Sequence, residues 1–340
     1  MNSILVKSTN WVGDAVLQTP ALRALRRGFP QAHLVLIARP WVAPLFEQHP
    51  DLDELIIEPA DRRERGGLAR RLRARSWDLG LAFPNSLSAA WLLWRAGAKR
   101  RRGYSRDMRG LLLTDPIRLA PSLLHGHEVD YYLHLLRGLT DFHEAARRPF
   151  VPPQPGAAEA ALATVTELLR SDQIDAAAAP LLGIGAAAAF GTAKRWLPER
   201  FAACARALRE RHGLIPVLLG SQTEADTTRE LARLIGPPVA DTAGRIGLAG
   251  LVGLLARVRL FLTNDSGPMH IAAAQNTPVV AIFGPTNWRT TAPLSPRARV
   301  VRHPVDCAPC LLRHCPIDHR CMQGVGVSRV LAAAEELLTA

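Results

Sequence analysis

Lysine is nearly absent from this 340-residue chain: of its 42 basic residues only Lys7, Lys99 and Lys194 are lysine, the rest being arginine. So uniform a preference reads as a compositional bias, and the number of arginines says little by itself. A lysine kept against that bias points to a place that needs a compact ammonium. Aromatic residues are also scarce, at 6%, and they are not interleaved with the basic ones as a single-strand nucleic-acid surface requires. No apolar run reaches the roughly 18 residues of a transmembrane helix. The N-terminus MNSILVKSTN lacks the basic region and long apolar core of a signal peptide. A cytoplasmic protein is expected.

What remains is the composition of a folded, basic, two-domain protein. Hydrophobic residues make up 48% and charged residues 21%, enough to bury sizeable cores, and the length suits two domains. The net charge of +12 points to an anionic partner: nucleic acid, anionic lipid or a phosphorylated substrate.

The pattern of elements narrows the class. Ile4–Lys7, His33–Ile37, Glu54–Ile57 and Leu79–Phe83 read as strands, separated by helical stretches up to Arg27, from Trp41 to Phe46 and over the Arg-rich 61–76. The prolines and glycine of 148–156 (RPFVPPQPG) mark a stiff linker. Beyond it the alternation restarts, with strands at Leu181–Ile184, Ile215–Leu219, Val258–Leu262 and Val279–Phe283. The fold class is therefore α/β, two doubly wound halves, with an active cleft expected between them.

Within the second half, Phe261–Thr286 reads as strand, polar turn, helix, strand, polar turn. Asn264, Asp265, Ser266 and Gly267 break the strand, and Pro268 opens an Ala-rich helix. Ligands of open α/β sheets bind at the carboxyl ends of such strands, and a helix N-terminus there favours an anion. The first half has the corresponding turn at Ser8–Asp14. The basic run Lys99–Arg102 reads as a solvated face or a binding surface for an acidic substrate. His125-x-His127 reads as surface or capping histidines. Asp51-x-Asp53 has the form of a metal–nucleotide motif but lies in the first half, before a strand, and reads as surface.

Several segments resemble the ADP-heptose:lipopolysaccharide heptosyltransferases, glycosyltransferase family 9, and in particular the heptosyltransferase II branch. They are NWVGDAVLQTPALRAL (10–25), PNS (84–86), FGTAKRW (190–196), GSQTE (220–224), TNDSGPMHIAAA (263–274) and FGPT (283–286). A C-x2-C cluster follows, and the segments run in the expected order over nearly the whole chain. The resemblance implies the GT-B fold, two Rossmann-like domains facing a central cleft. An N-terminal domain (1–155) would take the acceptor and a C-terminal domain (156–340) the nucleotide sugar, with the last helix a candidate to pack back on the first domain.

It also implies an inverting glycosyltransferase moving heptose from ADP-heptose to the heptose/Kdo inner core of lipopolysaccharide. Asp14 takes the role of general base for the acceptor hydroxyl, against the reading of a simple helix cap. Lys194 stabilises the departing diphosphate. Donor contacts fall to Thr192, Glu224, Asn264, Asp265, Ser266, Gly267 and Met269, and acceptor contacts to Asn10, Arg100, Arg101, Arg102 and Arg106. Asp265, an acid beside an anionic ligand, is expected on sugar hydroxyls or on Lys194. The loop before Lys194 carries one or two more alanines than the family's common form. No cofactor is expected for transfer; Cys307, Cys310, Cys315 and Cys321 have zinc-like density and are weak candidates for a structural metal. The expected partners are ADP-heptose and the lipid A–core acceptor, with peripheral attachment to the inner membrane and no nucleic acid. The alternatives are a GT-B enzyme acting on another nucleotide sugar, as transferase or epimerase, and more remotely a metal-clustered nucleic-acid-binding protein.

Overall fold

The computed structural model describes residues 1–140, 147–187 and 191–339. They divide into two compact units, Met1–Pro152 and Pro153–Ala340, parted within the proline-rich stretch.

The first unit holds strands β1 (Ser3–Lys7), β2 (His33–Ala38), β3 (Glu54–Ile57), β4 (Leu79–Ala82), β5 (Arg100–Tyr104) and β6 (Asp115–Ile117). Its helices are α1 (Val12–Leu17), α2 (Thr19–Gly28), α3 (Arg65–Arg73), α4 (Leu87–Arg95) and α5 (Glu128–His134). Every strand pairing is parallel, in the order β3-β2-β1-β4-β5-β6. Parallel sheets are covered on both faces, which is why β1, β2 and β4 are continuous apolar runs. The chain runs outward from β1 in one direction and from β4 in the other, so the loops after these two neighbours flank the switch point where such sheets bind ligands.

Two local features differ from the sequence expectation. The helix expected to run to Arg27 is split, because Pro20 lacks the N–H an uninterrupted helix needs and instead opens α2. The basic run 99–102 is not an open face: Arg100–Arg102 form the start of β5, paired with Leu79–Leu81 of β4.

In the second unit the elements are α6 (Pro155–Leu168), β7 (Leu181–Gly185), α7 (Pro198–His212), β8 (Ile215–Leu218), α8 (Ala225–Ile235), β9 (Ala240–Asp241) and α9 (Leu248–Leu255). They continue with β10 (Leu260–Asn264), α10 (Gly267–Ala274), β11 (Val279–Phe283), α11 (Trp288–Thr291), β12 (Ala298–Arg302), α12 (Arg320–Gln323) and α13 (Val327–Thr339). The sheet is again parallel throughout, in the order β9-β8-β7-β10-β11-β12. This is the same winding as the first unit, with its switch point between β7 and β10. Gly213 closes α7 at φ 66°, a left-handed position that glycine fills without strain. The last helix, α13, packs on α7, β11 and β12 and sets Val330, Ala334 and Leu337 into this unit's core.

Candidate active site

In the first unit the β1–α1 turn is tied down by a buried glutamine. Gln18 donates to Ser8 Oγ (2.6 Å) and accepts from the Thr9 amide (3.1 Å), while the Ser8 amide bonds Ile37 O at 2.9 Å. The turn is thereby fixed against the sheet, and Asp14 emerges half-buried in the first turn of α1, where the helix dipole favours a carboxylate. The preceding Trp11 makes no side-chain cap. Helix α5 packs on α1 and brings Glu128, its first residue, into the electrostatic neighbourhood of Asp14. Burial, and then the Asp14 charge, push the Glu128 carboxyl up to about 7. The fully enclosed Tyr132 hydroxyl, one turn further, is raised by burial and then by both carboxylates.

Across the switch point, the β4–α4 turn is held from beneath. Arg109, with no exposed surface, donates to the carbonyls of Tyr104 (2.6 Å) and Pro84 and to Asn85 Oδ1. Asn85 in turn donates to the Tyr131 hydroxyl. Gln18 lies in the segment 10–25 but has no role assigned by it, its one signal being a polar residue set in an apolar stretch. Arg109 ends the basic stretch 100–109 that the sequence offers to an acidic acceptor, and its burial commits it instead to this brace.

The second unit's switch point brings Lys194 and Asp265 together. Lys194 closes a short helical turn, Thr192–Lys194, after β7, and its Nζ lies 2.7 Å from Asp265 Oδ2 after β10. Both side chains are largely buried, at 15% and 7% exposure. Asn264 braces the same region, accepting from the Trp196 amide (3.0 Å) and donating to Ala186 O (2.6 Å). Ser266 and Gly267 open α10 beside the pair, and Ser266 Oγ lies 3.1 Å from Thr263 Oγ1. The extra alanines of the loop before Lys194, at 188 and 189, lie outside the described residues.

Not every residue expected at the site reaches it. Asn264 is fully buried with one bond at each end of its amide, and it braces the two loops. Met269 is equally buried, and its amide bonds Ser266 O at 3.2 Å within the first turn of α10. Glu224 forms a capping box, its Oε2 accepting from the Ser221 amide and hydroxyl, both at 2.8 Å. Arg102 is 3% exposed and pairs with Asp115 at 3.0 Å, a structural use that removes it from the acceptor set. Arg100 reaches the same carboxylate at 2.8 Å, and Arg101 donates to Leu112 O and Ala98 O. Arg106 is exposed in the turn after β5. Asn10 accepts from Lys7 Nζ at 3.5 Å and, through its carbonyl, from Trp41 Nε1 at 2.8 Å. His127 caps α5, accepting from the Val129 amide, and Asp53 pairs with Arg26.

Beyond β12 the cysteine-rich segment folds over the Lys194 turn. The Ala193 amide donates to Arg313 O (3.0 Å), His319 Nε2 meets Ala193 O (2.7 Å), and His314 Nδ1 lies 3.0 Å from Thr192 Oγ1. Cys307 and Cys310 are exposed and Cys321 is buried. Burial raises the Cys321 thiol, and the three other cysteines add to that. Among the described residues, no group of three or more His, Cys, Asp or Glu side chains is arranged to hold a metal ion. Nor is any helix among them long and apolar enough to cross a membrane. A groove of about 640 Å³ along α6, lined by Glu159, Thr166, Arg170 and Asp175 among others, includes no residue of the switch-point loops.

This arrangement matches known proteins along its length. The model of the family described as glycosyltransferase family 9 (heptosyltransferase) matches residues 65–320. Lipopolysaccharide heptosyltransferase 2 of Escherichia coli K12 is 32% identical over 311 residues, 88% of this chain and 87% of that protein. The Salmonella typhimurium protein of the same name is 33% identical over 310 residues, with the same coverage. The solved structure of E. coli ADP-heptose LPS heptosyltransferase II superposes with a TM-score of 0.84 at 30% identity, covering 100% of this chain and 99% of that one. Two doubly wound parallel sheets of this kind are the GT-B architecture, and the chain is a glycosyltransferase that belongs to glycosyltransferase family 9.

Proposed function

We propose that the protein transfers heptose from ADP-heptose to the heptose/Kdo inner core of lipopolysaccharide, with inversion at the anomeric carbon. The observation that carries this reading is the buried Lys194–Asp265 pair at the β7/β10 switch point, in a chain whose relatives are heptosyltransferases. An ammonium in that place offsets the charge that builds on a departing diphosphate. Lys194 is thus the group that receives the ADP leaving group. The α10 N-terminus, with Ser266 and Gly267, adds amide dipoles to the same task. Asp265 holds the ammonium and is available to sugar hydroxyls.

Asp14 acts as general base: it takes the proton of the acceptor hydroxyl as that oxygen bonds the anomeric carbon and the bond to the diphosphate oxygen breaks. A cation already stands at the diphosphate, so transfer proceeds without a metal cofactor. The acceptor is anionic and lipid-linked. Exposed Met108 (82%) and Leu111 (87%), close in sequence to the exposed Arg106, offer an apolar and cationic surface for it, with peripheral attachment to a membrane as the consequence.

Calorimetric titration with ADP and ADP-heptose, followed by transfer to a heptose-terminated, Kdo-containing acceptor, tests the reading. Binding of both ligands and a radiolabelled heptosyl product are expected. Binding of a different nucleotide sugar in preference to ADP-heptose, or epimerisation without transfer, would overturn the assigned donor or reaction.

A further inference from the structure

The cysteine-rich segment 303–321 has no part in the chemistry described above, yet it grips the residue next to Lys194 from both sides. Ala193 donates its amide to Arg313 O at 3.0 Å and receives His319 Nε2 on its carbonyl at 2.7 Å. One residue earlier, Thr192 Oγ1 meets His314 Nδ1 at 3.0 Å. The segment also reaches the turn after β11, where the Leu311 amide donates to Pro285 O at 2.9 Å. Gly191 is required for this approach: a Cβ there would overlap the Arg313 carbonyl.

His319 itself sits at φ 58°, in the left-handed region that non-glycine residues seldom occupy. Its amide donates to Cys315 Sγ at 3.3 Å. A residue held in such a conformation needs surroundings that over-determine it, and here the thiol on one side and Ala193 on the other do so. The imidazole must carry its proton on Nε2 to bond a carbonyl.

We propose that His319 is a positioning residue for transfer: its Nε2–H bond to Ala193 O holds the turn that presents Lys194 to the donor diphosphate, so the cysteine-rich segment acts as a strut of the donor site. This rests on the role given above to Lys194. The segment contributes geometry, and Lys194 contributes the charge.

A double-mutant cycle on the full chain, read by ADP titration, tests it. His319→Asn keeps a residue that tolerates the left-handed backbone but is too short to reach Ala193; His319→Ala serves as the second variant, with thermal melts confirming that each folds. Either change is expected to weaken ADP binding about three- to tenfold, the scale of one hydrogen bond. In a Lys194→Ala background the same change is expected to do nothing further. Wild-type affinity in both His319 variants, or full additivity with Lys194→Ala, overturns the strut. If Lys194→Ala alone leaves ADP affinity unchanged, the diphosphate role of Lys194 fails first, and the two failures are distinguished.

Discussion

Lys194 Nζ and Asp265 Oδ2 stand 2.7 Å apart although 71 residues separate them in sequence. The two loops follow adjacent parallel strands, β7 and β10, so the winding of the sheet makes the pair. On the reading proposed above, the aspartate acts on the lysine, fixing the direction of its side chain before the diphosphate arrives.

Removing one partner of a buried pair leaves an uncompensated charge, which costs roughly 3–5 kcal/mol. Asp265→Asn is therefore expected to lower the stability of the second unit by about that amount in urea unfolding, and to slow turnover about 10- to 100-fold as Lys194 loses its aim. A variant that is destabilised but turns over at the normal rate would show that the pair serves only the fold.

At Asp14 the expected pattern is the reverse. Asp14→Asn preserves the shape of the α1 turn but removes the base, so kcat should fall by about 10²- to 10⁴-fold with ADP affinity unchanged. Steady-state rates together with ADP titration check this, and a normal kcat in the variant rules the assignment out.

Glu128 gives the first unit a pH signature. Its carboxyl is raised from an ordinary 4.5 to about 7 by burial and by Asp14. The folded protein therefore binds more protons than the unfolded one between these values, and stability falls as pH rises through that window. The favourable contribution is complete below about 4.5 and lost above about 7. Glu128→Gln should flatten the slope, gaining stability relative to the parent at pH 8 but not at pH 4. Urea midpoints at the two values decide it, and parallel curves for parent and variant would refute it.

Gly191 tests the seat of the cysteine-rich segment by sterics. Gly191→Ala places a methyl against the Arg313 backbone, where the chain must shift at a cost of roughly 1–3 kcal/mol. Weaker ADP binding is expected with little change in the first unit. An alanine variant with unaltered melting and ADP affinity would show that the loop yields freely.

Much of this was legible in the chain itself. Buried parallel strands carry continuous apolar runs, so β1, β2, β4, β7, β10 and β11 can be read directly, as can the turns that follow them. The polar turns at Asp14 and Asn264–Gly267 stand out because each interrupts such a run. β6, β9 and β12 could not be read because they hold edge positions that impose little pattern, and β6 and β9 are in addition only three and two residues long. β5 was hidden because its charged residues find their partners only in the fold, Arg100 and Arg102 on Asp115 of β6 and Arg101 on the carbonyls of Leu112 and Ala98.

The sequence by itself determined the α/β alternation, the proline-rich stretch at which the two units part, the polar loops that follow the strands and, through its motifs, the family. Only the tertiary structure decided what each loop residue does. Asn264 and Arg102 have the right types for ligand contact, but burial and their bonds to Trp196, Ala186 and Asp115 engage them as braces, and Met269 is buried in the first turn of α10. Glu128 and His319 belong to none of the quoted segments, and acquire their places from helices and loops that pack from elsewhere in the chain. Gln18 belongs to one, but only the fold shows that it ties the β1–α1 turn. Periodicity records which faces are buried; a pair such as Lys194 and Asp265 depends on the order in which strands are laid side by side, which no local pattern encodes.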